Sequence, residues 1–144
     1  AACHGDFAMN PEQITRLRRG FALLAADADG FARRFYDELF RIAPDARGLF
    51  TVDMALQRTK FVTMMASLVD MLDSASQSDV AARELGERHV GYGVRESDYD
   101  AVGTALLICL RHRLGEEWDE SMETAWATFY GELAEAMIDG AEQA

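Results

Sequence analysis

At 144 residues, with 49% hydrophobic and 27% charged residues, the chain has the length and composition of one compact domain with a single core. Lys and Arg number 14 against 25 Asp and Glu, and the resulting net charge of −11 repels phosphate backbones and anionic lipid surfaces, which argues against nucleic acid and membrane partners. Two cysteines, Cys3 near the start and Cys109 inside an apolar run, are too few for a disulfide framework or a thiolate metal site, so a reducing, cytoplasmic setting is expected. The run Ala101 to Leu110 is bracketed by Asp100 and Arg111 and falls well short of the roughly 18 apolar residues that a membrane span requires.

Residues 1–9 carry no helical period and lack the basic and apolar regions of a signal peptide; they read as a tail, disordered or left by processing, outside the folded unit. The first helix is announced by Asn10-Pro11-Glu12-Gln13, a capping side chain followed by a first-turn proline and an acid near the positive end of the helix dipole. Ile14, Leu17, Phe21 and Leu24 then share one face to about Ala26. In the second helix Phe31, Phe35 and Leu39 form one stripe and Tyr36 with Phe40 an adjacent one, an apolar arc wide enough for deep burial, ended by Pro44.

A short tight segment ends at Leu49-Phe50. Asp53 then caps a third helix whose one face carries Gln57, Phe61, Met64, Leu68 and Met71 or Leu72. The polar connector 74–78 leads to a cap at Ser78 and a brief helix marked by Val80, Leu85 and His89, stopped by Gly91-Tyr92-Gly93. Ser97 or Asp98 starts the fifth helix, apolar nearly all round from Ala101 to Leu110 and closed by Gly115, as expected of a helix surrounded by others. Asp119 caps the last, where Met122, Trp126, Phe129, Tyr130, Leu133 and Met137 keep a helical period to Gly140. No segment alternates with the period of a strand, so the expectation is one all-α domain over residues 10–140, with 141–144 as a C-terminal tail.

His89 admits two readings, a hydrogen-bonded core residue or a metal ligand at the end of an apolar helix. The surrounding residues favour the second. Phe35-Tyr36-Asp37-Glu38-Leu39-Phe40 with Pro44 and Leu49-Phe50, then Gln57-Arg58-Thr59-Lys60-Phe61, the run Leu85 to Val94, Tyr99 to Gly103, and Ala125 to Tyr130 follow one another in an order and spacing that resembles a globin. The resemblance covers nearly the whole chain and is to the single-domain bacterial globins, akin to the haem domain of flavohaemoglobins and to neuroglobins. It implies a globin fold of six to eight helices packed around a haem pocket.

By that resemblance His89 is the proximal iron ligand, its other ring N–H bonded to the Leu85 carbonyl one turn earlier, and the cofactor is haem b, held without covalent attachment because no Cys-x-x-Cys-His sequence is present. His4 lies in the tail, and His112, between Arg111 and Arg113, is expected on a solvated face. Tyr36 and Gln57 match the two distal polar positions, where a phenol and an amide aimed at one spot would stabilise a diatomic ligand that gathers negative charge; read alone, each is equally a core aromatic or a solvated amide. Phe50, Phe61, Tyr92, Val94, Tyr99 and Val102 are implied to line the haem, and Lys60, Arg88 and Arg95 to stand near its propionates.

The resemblance implies reversible binding of dioxygen and other diatomic gases, with no catalytic residue assigned. The alternatives are a nitric oxide dioxygenase served by a separate electron-donating reductase, and a haem-based gas-sensing domain. One departure concerns the proximal side. Flavohaemoglobin-like domains pair a tyrosine there with a glutamate about three turns further along the last helix; Tyr99 and Tyr130 match the tyrosines, but the acidic position holds Ala141, with Glu142 beside it.

Overall fold

A computed structural model describes residues 9–50, 53–91 and 93–142. Six α-helices make up the frame: α1 (Pro11–Ala25), α2 (Ala28–Ile42), α3 (Met54–Asp70), α4 (Ala75–Gly91), α5 (Glu96–Leu114) and α6 (Glu120–Glu142). Two 3-10 turns, Pro44–Leu49 and Gly115–Glu117, connect α2 to α3 and α5 to α6. Among the described residues there is no strand, and no helix is long and apolar enough to cross a membrane.

Local side-chain chemistry explains most of the helix starts. Asn10 Oδ1 accepts from the Gln13 backbone N–H at 2.8 Å while Gln13 Oε1 accepts from the Asn10 N–H at 3.0 Å, a reciprocal cap that satisfies two otherwise orphaned donors. Asp27, Asp53 and Asp119 cap α2, α3 and α6 through bonds from Gly30, Ala55 and Met122. At the end of α5, Gly115 takes φ +54°, in the left-handed region that favours glycine.

The structure departs from the sequence expectations at the ends of three helices. Helix α4 begins at Ala75, not after Ser78: Ser74 Oγ accepts from the Gln77 N–H at 3.3 Å, and Ser78 is a buried interior residue whose hydroxyl donates to the Met71 carbonyl at 3.0 Å. Val80, one of the residues that mark this helix in the sequence, is 54% exposed; the inward face of α4 runs through Ala82, Leu85 and Gly86. Helix α5 begins at Glu96, ahead of Ser97 and Asp98, because the buried Asp98 acts from the third helical position, reaching back to accept the Arg95 N–H at 2.8 Å. The last helix also runs past Gly140 to Glu142.

The core joins all six helices, with Leu17, Leu24, Phe35, Leu110, Met122, Trp126 and Phe129 essentially sealed from solvent. Each such side chain contributes about 1.5–3 kcal/mol of transfer free energy. Helix α5 lies centrally, against α2, α6 and α1, as its apolar run suggests. Helix α4 packs most extensively on α6, and α3 packs on α2. Although only four residues join α3 to α4, these two are not a closely packed pair; each turns to a different partner helix.

Candidate functional site

Tyr36 and Gln57 are 21 residues apart in sequence and come together because α3 packs on α2. The Gln57 side-chain amide donates to the Tyr36 hydroxyl oxygen at 3.1 Å. Tyr36 is buried and Gln57 half-buried. Burial raises the pKa of the Tyr36 phenol; the Gln57 bond works in the other direction but does not cancel it, so the hydroxyl keeps its proton at neutral pH. Since the oxygen already accepts from Gln57, the O–H of Tyr36 is the donor left to act on anything placed beside it, polarised further by the bond it receives.

Aromatic rings fix the Tyr36 side chain. Its ring is edge-on to Phe35 at 5.0 Å between centroids, to Phe50 at 5.4 Å and to Phe61 at 5.7 Å. Phe61 lies flat on Phe35, 4.5 Å apart and only 6° from parallel, while Phe40 closes the cluster edge-on to Phe50 at 5.6 Å. The Arg47 guanidinium stands 5.1 Å above the Phe40 ring on the solvent side. Phe50 and Phe61 remain half-buried, so the cluster presents apolar surface that protein atoms do not fully cover.

His89 occupies the last turn of α4, where its Nδ1 lies 2.7 Å from the Leu85 carbonyl oxygen. A carbonyl can only accept, so Nδ1 carries the proton and the lone pair resides on Nε2. Burial lowers the imidazole pKa, the Leu85 bond opposes it, and the charge of Arg88 adds to the lowering; the ring is neutral at physiological pH. An imidazole in this tautomer and charge state is able to bind a metal, and His112, exposed at the far end of α5, lies in no comparable setting.

The other candidates divide between the interior and the surface. Val94 and Val102 are half-buried against the core, and Tyr99 is 8% exposed with its backbone carbonyl accepting from the Tyr130 hydroxyl at 2.6 Å. That bond commits Tyr130 to α5, and Gly103 makes room for the Tyr130 ring. Lys60 and Arg88 are exposed. The exposed Arg95 pairs with Asp98 at 3.2 Å, which gives this cation a protein partner the sequence reading does not anticipate. Tyr92 lies outside the described residues. The stacking of Phe61 on Phe35 also escapes the sequence: both rings sit on apolar helix faces, but nothing in either period says which rings meet.

The chain matches the family model for Globin over residues 33–137, well over half its length. The chain belongs to the globin family. Among curated relatives, this globin is 28% identical over 139 residues to a flavohemoprotein of Bordetella pertussis, a match that covers 94% of this chain and 34% of the relative. It thus spans about a third of that protein. It is 27% identical over 136 residues to leghemoglobin-1 of Lupinus luteus, covering 85% of this chain and 88% of the relative. Among solved structures it resembles a hexacoordinated haem protein from an anhydrobiotic tardigrade with a TM-score of 0.84 over 94% of this chain and 97% of that one; at 16% identity this is a likeness of fold.

Proposed function

We propose that this globin binds haem through His89 and uses the Tyr36–Gln57 pair to hold dioxygen and other diatomic gases reversibly. The observation that carries the reading is the 3.1 Å bond from Gln57 to Tyr36 beside the rings of Phe35, Phe50 and Phe61.

The residues fit the cofactor on chemical grounds. Haem is a flat, largely apolar group with an iron that takes a neutral imidazole. His89 supplies that imidazole in a tautomer fixed by Leu85. Phe50, Phe61, Val94 and Val102 are half-buried apolar side chains able to cover the ring faces, and α3 and α4 are not closely packed against each other. When bound, ferrous haem would supply an iron that takes up a diatomic gas. Residues 10–140 would form the cofactor-holding unit, with haem b retained without covalent attachment, chiefly by apolar contact and His89. The exposed Lys60 and Arg88 are the free-standing candidates for the propionates, and Arg95 would need to leave or share Asp98.

The chain's own contribution on the gas side is hydrogen bonding and exclusion of water. The Tyr36 O–H donates to the ligand, Gln57 holds the phenol in place from behind, and Phe61 and Phe50 keep the surroundings apolar, where such a bond is worth more than in water. Absorption spectra of the purified protein in ferric, reduced, air-exposed and carbon monoxide-treated forms test this directly. Distinct spectra in the four states support it; a colourless protein that takes up no haem contradicts it.

A second reading is nitric oxide dioxygenation with electrons from a separate reductase, favoured by the match to part of a flavohemoprotein. Rapid mixing of the reduced, air-exposed protein with nitric oxide, followed by a turnover assay with added reductants, separates catalysis from simple binding.

A further inference from the structure

Two glycines meet backbone where α4 crosses α6. A β-carbon on the buried Gly86 of α4 would overlap the Met137 carbonyl of α6, and one on the buried Gly140 of α6 would overlap the Arg83 carbonyl of α4. Both obstacles are main-chain atoms, so no side-chain rotation relieves them; the two helices would have to move apart. The contacts are reciprocal, with residues 83 and 86 facing 140 and 137 on antiparallel helices. Arg83 also clasps this turn, bonding Asp79 at 2.9 Å on its own helix and reaching Asp139 of α6 at 3.5 Å. A glycine inside a helix costs helix stability, which is a reason to look for what each one permits.

Taking His89 as the iron ligand, we propose that the Gly86–Gly140 crossing is a positioning device that sets where His89 stands. Gly86 is three residues before His89, and its neighbour Leu85 provides the carbonyl that orients the imidazole at 2.7 Å. The α6 backbone thus bears directly on the turn that holds the ring. With no side chain between the helices, this contact has little room to yield, and the imidazole inherits its position from α6 through a two-residue connection. Gly86 and Gly140 touch neither iron nor gas; they act through His89.

The test uses the haem-loaded protein and the substitutions Gly86→Ala, Gly140→Ala and Gly131→Ala. Gly131 is exposed on α6 with nothing near its missing β-carbon, so Gly131→Ala should raise the melting temperature and leave haem spectroscopy unchanged. Gly86→Ala and Gly140→Ala should lower the melting temperature, shift the iron–histidine stretching band of the ferrous protein and change carbon monoxide association severalfold, in the same direction for both. If both fold, melt lower and keep the wild-type band and rates, the crossing is mere packing and the proposal is overturned. Should neither fold, Arg83→Gln decides, since it loosens the clasp without adding bulk: a broadened or shifted band supports the proposal and wild-type behaviour overturns it. A wild-type protein without haem absorption would instead retire the reading of His89 itself.

Discussion

The amide of Gln57 is bonded to the hydroxyl oxygen of Tyr36 at 3.1 Å, so the two side chains proposed for the gas side are linked to each other as successive donors. Gln57 donates an N–H hydrogen bond to Tyr36, and Tyr36 has an O–H to donate onward. The arrangement makes the two side chains unequal. It follows from α2 placing a phenol beside the first turns of α3, with Phe35, Phe50 and Phe61 leaving the ring little freedom to turn.

Removing a donor to a charge-bearing ligand costs about 1.5–3 kcal/mol, so Tyr36→Phe should speed dioxygen release by about one to two orders of magnitude. Gln57→Leu removes a neutral bond of about 0.5–1.5 kcal/mol and should have the smaller effect, up to about tenfold. Because Gln57 acts through Tyr36, the double variant should release dioxygen little faster than Tyr36→Phe alone. Stopped-flow dissociation kinetics on the four proteins check this; equal and additive effects would mean two independent donors.

Phe61 is held flat against Phe35, and an aromatic pair of this kind is worth about 0.5–1.5 kcal/mol beyond its buried area. Phe61→Leu should therefore lower the melting temperature by several degrees. If the ring also restricts gas entry, the same variant should raise the association rates of dioxygen and carbon monoxide together, while dioxygen release stays within a few-fold because Tyr36 and Gln57 are untouched. Carbon monoxide rebinding after flash photolysis measures the first effect. A lowered melting point with unchanged rebinding leaves Phe61 as packing only.

The start of α5 should be acid-sensitive. Burial opposes ionisation of Asp98, but the bonds it accepts from the Arg95 guanidinium and backbone N–H outweigh that and hold its carboxyl below the usual value. A carboxyl depressed in the folded state adds stability above its unfolded pKa of about 4, and that contribution is lost as pH falls through the lower folded value. Asp98→Asn should therefore destabilise the protein at neutral pH and flatten the loss of stability below about pH 4. Thermal melts across the acid range for wild type and variant give the comparison, and parallel curves would remove Asp98 from the account.

How much of this was readable beforehand depended on the range of each interaction. Caps at Asn10, Asp53 and Asp119 act within three residues, so their side chains announce helix starts. Ser78 misleads because its hydroxyl bonds backward to Met71 from a buried site, which looks the same in sequence as a cap. The inward face of α4 is hidden because the helix meets α6 through Gly86 while Val80 is exposed, and a glycine leaves no mark in a hydrophobic period. The meeting of Tyr36 with Gln57 is a tertiary event that no periodicity contains; the family resemblance put them on the same side, but only coordinates show that one donates to the other. The pairing of Arg95 with Asp98 was missed for the opposite reason, since a nearby acid competes for a cation assigned elsewhere.

The most direct measurement is a haem titration of the apoprotein, wild type against His89→Ala and His112→Ala, followed by reduction and carbon monoxide. The neutral, Leu85-anchored imidazole should make His89 indispensable, whereas the exposed His112 should not matter. Wild type and His112→Ala are expected to bind one haem per chain with the same reduced and carbonyl spectra, and His89→Ala to lose stoichiometric uptake or give the spectrum of a foreign ligand. A His89→Ala protein that binds one haem per chain with wild-type reduced and carbonyl spectra would contradict the account.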